Sequence, residues 1–515
     1  MTTAHNPILS GFYPDPSICA VGRDFYLVCS TFAYFPGLPV FHSTDLTHWE
    51  QIGNALDRPE QLDLEGCRHS QGIYAPTIRY HEGTFYLVTT YSSGPGSFVL
   101  TAKDPAGPWS APYWLGEDAP GIDPSLFFDD DGRCYYVGTR PNPAGVRYNG
   151  DWEIWAQELD LATMRLTGQS HALWKGAMNG VIWPEGPHLY KHEGRYYLMH
   201  AEGGTGPDHC VCVARADEVF GPYTGNPDNP ILTHCHLGRD YPVTCAGHGD
   251  LVQAEDGSWY MVLLACRPRS GHTLLGRETF LAKVRWESGW PVANPGVGRL
   301  EDTLELPFAE QEVLPAPPVY TFPGPGLPPE FLTLRAPAAG TFVPDPADGS
   351  LTVRLLPATL KELSAPAYLG LRWQHHRFQA MLAMEFEPAA PNACAGLALV
   401  QNNTNHLRLE KCRGKSGPAL RLILCENGTD RILASTPLPD GQLELRAVVR
   451  DLQARLYWRT AGSWQPLGDA VDLRCLSTES AGGFTGCTAG LYASSNGEPS
   501  RETARFAWFA CQKID

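Results

Sequence analysis

Three acidic residues occupy matching settings in the chain: Asp15 in "GFYPDPSI", Asp123 in "GIDPSLFF" and Glu185 in "WPEGPHLYK". Each stands at the head of a short apolar run and beside proline, whose ring fixes the local backbone. One such carboxylate alone reads as a turn or cap residue. Three that share a register are different, because gathering them in one place is costly unless a ligand uses them or one holds a proton near neutral pH. Such a set suits the cleavage of a glycosidic bond. One carboxylic acid protonates the leaving oxygen while another carboxylate activates water or attacks the sugar. A third acid has a use as well, since a neighbouring carboxylate raises the pKa of the proton donor.

The elements that would bring these residues together form a repeat. "DPSICAVGRDFYLV", "APTIRYHEGTFYLV", "DPSLFFDDDGRCYYV", "EGPHLYKHEGRYYLM" and "HGDLVQAEDGSWYMV" share one grammar: an apolar strand, a polar turn, and a second strand opening on an aromatic pair. That is the form of a β-hairpin. The second aromatic recurs at Tyr26, Tyr86, Tyr136, Tyr197 and Tyr260, and an outer-strand echo follows several units, as in "STDLTHWE" and "AKDPAGPWS". Units of about four strands arranged around an axis make a β-propeller. Five blades are therefore expected over residues 1–306. The residues heading the first strands are Asp15, Ala75, Asp123, Glu185 and His248, and pseudo-rotation would direct all five toward one central pocket. "DDDG" at 129–132 lacks the flanking ligands of a calcium loop and reads as a hairpin tip.

Prolines recur over 307–330 too often for helix or central strand, so this stretch is expected to be a stiff connector. Beyond it, "HLRLEKC", "ALRLILC" and "QLELRAVVRDLQARLYWR" alternate or run apolar between turn signals, which predicts a β-sandwich over 331–515. The fold class is all-β.

A formal charge of −17 disfavours nucleic acid and anionic membrane surfaces as partners and favours neutral or cationic ligands. No basic stretch precedes an apolar run at the N-terminus, and no membrane-length apolar segment occurs, so a cytoplasmic protein is expected. The 15 cysteines are expected to be reduced and mostly buried, with Cys210 and Cys212 on opposite faces of a strand.

"NPILSGFYPDPSI", "GIDPSLFF", "WPEGPHLYK" and "GRETFLAKVRWESGWPV", in this order, resemble glycoside hydrolase family 43, in particular its two-domain β-xylosidases with a C-terminal concanavalin-like jelly roll. The resemblance implies an inverting enzyme with Asp15 as general base, Glu185 as general acid and Asp123 tuning and orienting that acid. It further implies that Arg277 reaches the terminal sugar and the carboxylates, that Phe32 walls the sugar pocket, and that Phe484 is carried in by the sandwich domain to close one side. His248 matches an axial histidine that contacts a divalent ion such as calcium in some relatives, an ion not required for the chemistry. One departure stands out: Tyr74 occupies a position where xylosidases of the family often carry Trp.

The implied activity is release of xylose from the non-reducing end of β-1,4-xylo-oligosaccharides. Hydrolysis of α-L-arabinofuranosides is the near alternative, and a carbohydrate-binding propeller without catalysis the distant one. Substrates are thus small xylo- or arabino-oligosaccharides, no cofactor is required, and a homo-oligomer is left open.

Overall fold

Each hairpin of the repeat opens a separate antiparallel sheet in the computed structural model, which describes the chain except for residues 179, 314–318, 416 and 440. The five sheets begin with strands Ser17–Val21, Thr77–His81, Ile122–Phe128, Glu185–His192 and Thr244–Gln253, and each runs outward strand by strand in chain order. The blades are held apart and together by apolar wedges. Val28, Ile78, Leu87 and Phe98 fill the space between the first two blades, Val88, Leu126, Tyr136 and Trp155 the next, and Met199, Val213, Met261 and Leu263 that between the last two. The recurrent Tyr belongs to these wedges, as Tyr136, Tyr197 and Tyr260 show. The repeat in the sequence is thus a packing repeat.

The ring is closed by its own N-terminus. Thr2–His5 pairs with Thr303–Leu306, and the Asn6 side chain exchanges hydrogen bonds with the backbone of Leu281 in the fifth blade. Ile18, Phe25 and Leu27 of the first blade then pack on Val252, Tyr260 and Leu281 of the fifth. Closure of this kind removes the exposed sheet edges that an open array would leave.

A charged stitch runs across the axis. The fully buried Asp250 of the fifth blade accepts from both terminal nitrogens of Arg79 in the second blade at 2.8 and 2.9 Å, from Ser17 Oγ of the first at 2.6 Å and from Tyr190 of the fourth at 2.6 Å. Burying a carboxylate requires this degree of compensation.

The C-terminal region forms two facing sheets around a large apolar core that includes Leu369, Trp373, Leu397, Leu445 and Phe506. One sheet extends into the propeller: Leu332–Leu334 pairs with Tyr34–Phe35 of the first blade. Phe12, Phe32 and Tyr34 pack there against Leu334, Tyr368 and Tyr492. The connector expected over 307–330 contains residues 314–318, which lie outside the described residues.

One expectation is corrected. Cys210 and Cys212 share a face, with their sulfurs 3.8 Å apart, because side chains in a strand repeat every two residues. All fifteen cysteines are free and most are buried.

Candidate active site

The axial ends of the innermost strands carry unusual backbone. Asp15, Asp123 and His248 all have φ near +50°, and in the fourth blade the left-handed residue is Gly186, immediately after Glu185. Irregularities in pairing between Ile122 and Ser125, Glu185 and His188, and Thr244 and Gly249 accompany them. A bulge bends the strand and re-aims the side chain before it. Glu185 is therefore displaced by one residue from strict equivalence with Asp15. Gly186 is required here, since a Cβ would meet the His248 ring at 2.9 Å. Strained backbone gathered around one pocket is the mark of a site over-determined by its surroundings.

The pocket is a small cavity of about 90 Å³ lined by Asp15, Asp123 and Glu185 together with Phe32, Tyr74, Arg277, His248 and Phe484. Every site residue expected from the sequence is thus brought to one place. Phe32 stands between Tyr74 and Phe484, with ring centroids at 5.4 and 6.1 Å, and the Arg277 guanidinium faces both Phe32 and Phe484. Phe484 is delivered from the sandwich region by a loop whose Gly483 lies against Ser70, and Ser70 Oγ accepts the Phe484 backbone N–H at 2.8 Å.

The electrostatics divide the acids. Burial alone would raise the Asp15 carboxyl, but the Arg277 guanidinium, the His248 ring and the Ser30 hydroxyl outweigh it and hold the group below its ordinary value. Arg277 Nη1 donates to Oδ1 at 2.7 Å and Ser30 Oγ to Oδ2 at 2.6 Å. Burial raises Asp123 to about 6, with Asp15 adding repulsion and His248 and the Gly186 N–H offsetting part of it. Glu185 is raised well above its ordinary value by burial, then by the charges of Asp123 and Asp15. The pocket thus displaces its two carboxyl groups in opposite directions, Asp15 toward the ionised form and Glu185 toward the protonated one.

Two polar lining residues were not legible in the sequence. His209 Nδ1 donates to the Cys245 carbonyl at 3.1 Å, which leaves Nε2 as an acceptor with no partner among the described residues. Burial pushes the ring down to about 3, so it stays neutral. Thr205 Oγ1 accepts from Arg277 at 3.2 Å. Neither heads a repeat strand, so the periodicity that singles out the acids passes over them.

Among the described residues, His248 belongs to no group of His, Cys, Asp and Glu ligand atoms able to hold a metal ion. Its ring nitrogen lies 3.9 Å from Asp15 Oδ1, and both Asp15 oxygens are taken by Arg277 and Ser30. Calcium takes about six to eight oxygen ligands.

Comparison with known proteins agrees with this geometry. Residues 4–291 match the model for glycosyl hydrolases family 43, and residues 319–512 match the beta xylosidase C-terminal concanavalin A-like domain. A xylosidase/arabinosidase of Butyrivibrio fibrisolvens is 52% identical over 100% of both chains, and a non-reducing end alpha-L-arabinofuranosidase of Bacteroides ovatus is 38% identical over 100% of this chain and 95% of its own. Among solved structures, a xylan beta-1,4-xylosidase of Bacillus halodurans superposes with a TM-score of 0.93 at 32% identity, covering 99% of this chain and 100% of its own. With the family model matched over more than half of its length and a relative 52% identical from end to end, the chain, a five-bladed propeller joined to a concanavalin-like sandwich, belongs to glycosyl hydrolases family 43.

Proposed function

We propose that the protein is an exo-acting, inverting glycosidase that releases xylose from the non-reducing end of short β-1,4-xylo-oligosaccharides. The observation that carries this reading is the convergence of Asp15, Asp123 and Glu185 on one small pocket beside Arg277, and the opposite displacement of Asp15 and Glu185 supports it. Asp15 takes a proton from a water whose oxygen attacks the anomeric carbon. The bond from that carbon to the leaving oxygen breaks, and Glu185 gives its proton to that oxygen. Asp123 supports the acid through its charge and accepts the Gly186 N–H beside it at 3.2 Å. Arg277 keeps Asp15 ionised, and His209 Nε2 is placed to accept from a sugar hydroxyl. The chemistry needs no cofactor, and no step passes through a metal.

The narrow pocket and the Phe484 loop support exo action on short chains. α-L-Arabinofuranosidase activity is the second reading, favoured by Tyr74 at the pocket wall and by the names of the relatives. The free thiols suit a reducing cytoplasm, which we propose as its site of action. Assays of the purified protein on paired aryl β-xyloside and aryl α-L-arabinofuranoside test the proposal. Turnover of the xyloside is expected to exceed that of the arabinofuranoside; cleavage of neither above the buffer rate would overturn both readings.

A further inference from the structure

A second cluster of chemically able side chains lies behind the pocket in the fourth blade. Strand Arg195–Glu202 pairs with Cys210–Ala216 so that His200 stands directly opposite Cys212, and Glu202 opposite Cys210. The two-residue side-chain period puts all four on one face. His200 Nε2 lies 2.8 Å from Glu202 Oε1, the two sulfurs are 3.8 Å apart, and ligand atoms of His200, Glu202 and Cys212 all fall within 4.8 Å of one another. These three residues are at most 3% exposed, and His200 Nδ1 has no partner among the described residues.

From this arrangement we propose that His200, Glu202 and Cys212, with Cys210 as the fourth ligand, bind a zinc ion. A mixed nitrogen, oxygen and sulfur donor set suits zinc, and it does not suit the hard cations calcium and magnesium. Tetrahedral zinc with bonds of about 2.0–2.3 Å requires ligand atoms about 3.3–3.8 Å apart; the two sulfurs, 3.8 Å apart, meet this, and the 2.8 Å His200–Glu202 contact would open as the ion enters. Each thiol that binds releases its proton to water, and the metal undergoes no redox change. The site would be structural. Glu202 Oε1 also accepts the Ala177 N–H at 2.6 Å, and the neighbouring Ala201 pairs with Glu185. An ion here would tie the segment leading into Glu185 to its own blade.

The full-length protein, stripped with a chelator and dialysed against micromolar zinc, is expected to retain about one zinc per chain by elemental mass spectrometry. Cobalt(II) in its place should give sulfur-to-cobalt absorption in the near ultraviolet. Cys212→Ser and His200→Gln should abolish both signals, and Cys210→Ser, at the more open edge of the cluster, should weaken metal retention while leaving the fold intact. Failure of the unmutated protein to retain zinc, a cobalt spectrum without a sulfur band, or full retention in Cys212→Ser or Cys210→Ser would each overturn the proposal.

Discussion

Arg277 grips Asp15 through both terminal nitrogens, Nη1 to Oδ1 at 2.7 Å and Nη2 to Oδ2 at 3.3 Å, and so fastens the fifth blade to the first at the point where water is to be activated. The pair lies under the aromatic rings of Phe32 and Phe484, away from bulk solvent. Its effect on protonation has a definite sign. With the guanidinium removed, burial is opposed only by weaker partners, and the Asp15 carboxyl rises. In Arg277→Ala the acidic limb of the kcat/KM profile should move to higher pH, with kcat/KM lower throughout. A profile that merely falls in height would show that Arg277 does not set the ionisation of the base.

Asp123 acts on the other limb. Its negative charge is one of the causes that raise the Glu185 pKa. Asp123→Asn removes that charge, lowers the Glu185 pKa, and should shift the alkaline limb toward lower pH. Stopped assays from pH 4 to 9 would register the displacement.

Glu185→Gln should lower turnover by about 10²- to 10⁴-fold, with aryl substrates bearing good leaving groups least affected. The same change should stabilise the fold. Because the folded-state pKa of Glu185 lies above the ordinary 4.5, the native chain binds the proton more tightly than the unfolded one. Its stability contribution is therefore present at low pH and lost as pH rises through the folded value. The Tm advantage of Glu185→Gln should accordingly widen with pH from about 4.5 upward in calorimetric scans.

The pocket depends on a residue from the second region. Phe484→Ala would open the wall that Phe484 forms with Phe32. A several-fold rise in KM with a smaller change in kcat is expected. Gly483→Val should act similarly, because a Cβ at that position would meet Ser70 Oγ at 2.3 Å and push the loop away.

Asp250 tests the scaffold below the site. Asp250→Ala leaves Arg79 without its buried partner, and such losses cost about 3–5 kcal/mol. Urea unfolding should show the midpoint fall accordingly, whereas replacing the exposed Asp131, paired only with Arg133, should leave it nearly unchanged.

The repeat was legible because packing writes it: each blade needs an aromatic at the same place in its wedge, and Tyr136, Tyr197 and Tyr260 report that need in order. From this the five sheets and the convergence of Asp15, Asp123 and Glu185 could be read, while the sandwich announced itself by the alternating apolar pattern after the proline-rich stretch. The resemblance to relatives supplied Arg277, Phe32, Tyr74 and Phe484. What only the tertiary structure decided was how the acids differ. A carboxylate's proton affinity depends on neighbours from other blades and on burial, and neither leaves a local trace. His209 and Thr205 enter the pocket from positions with no place in the repeat. The stitch of Arg79 to Asp250 joins residues far apart in the chain, and the Tyr34–Phe35 strand joins a sheet whose other strands begin near residue 330. Periodicity fixes which side chains face the axis; the distances across it are set by the closed ring.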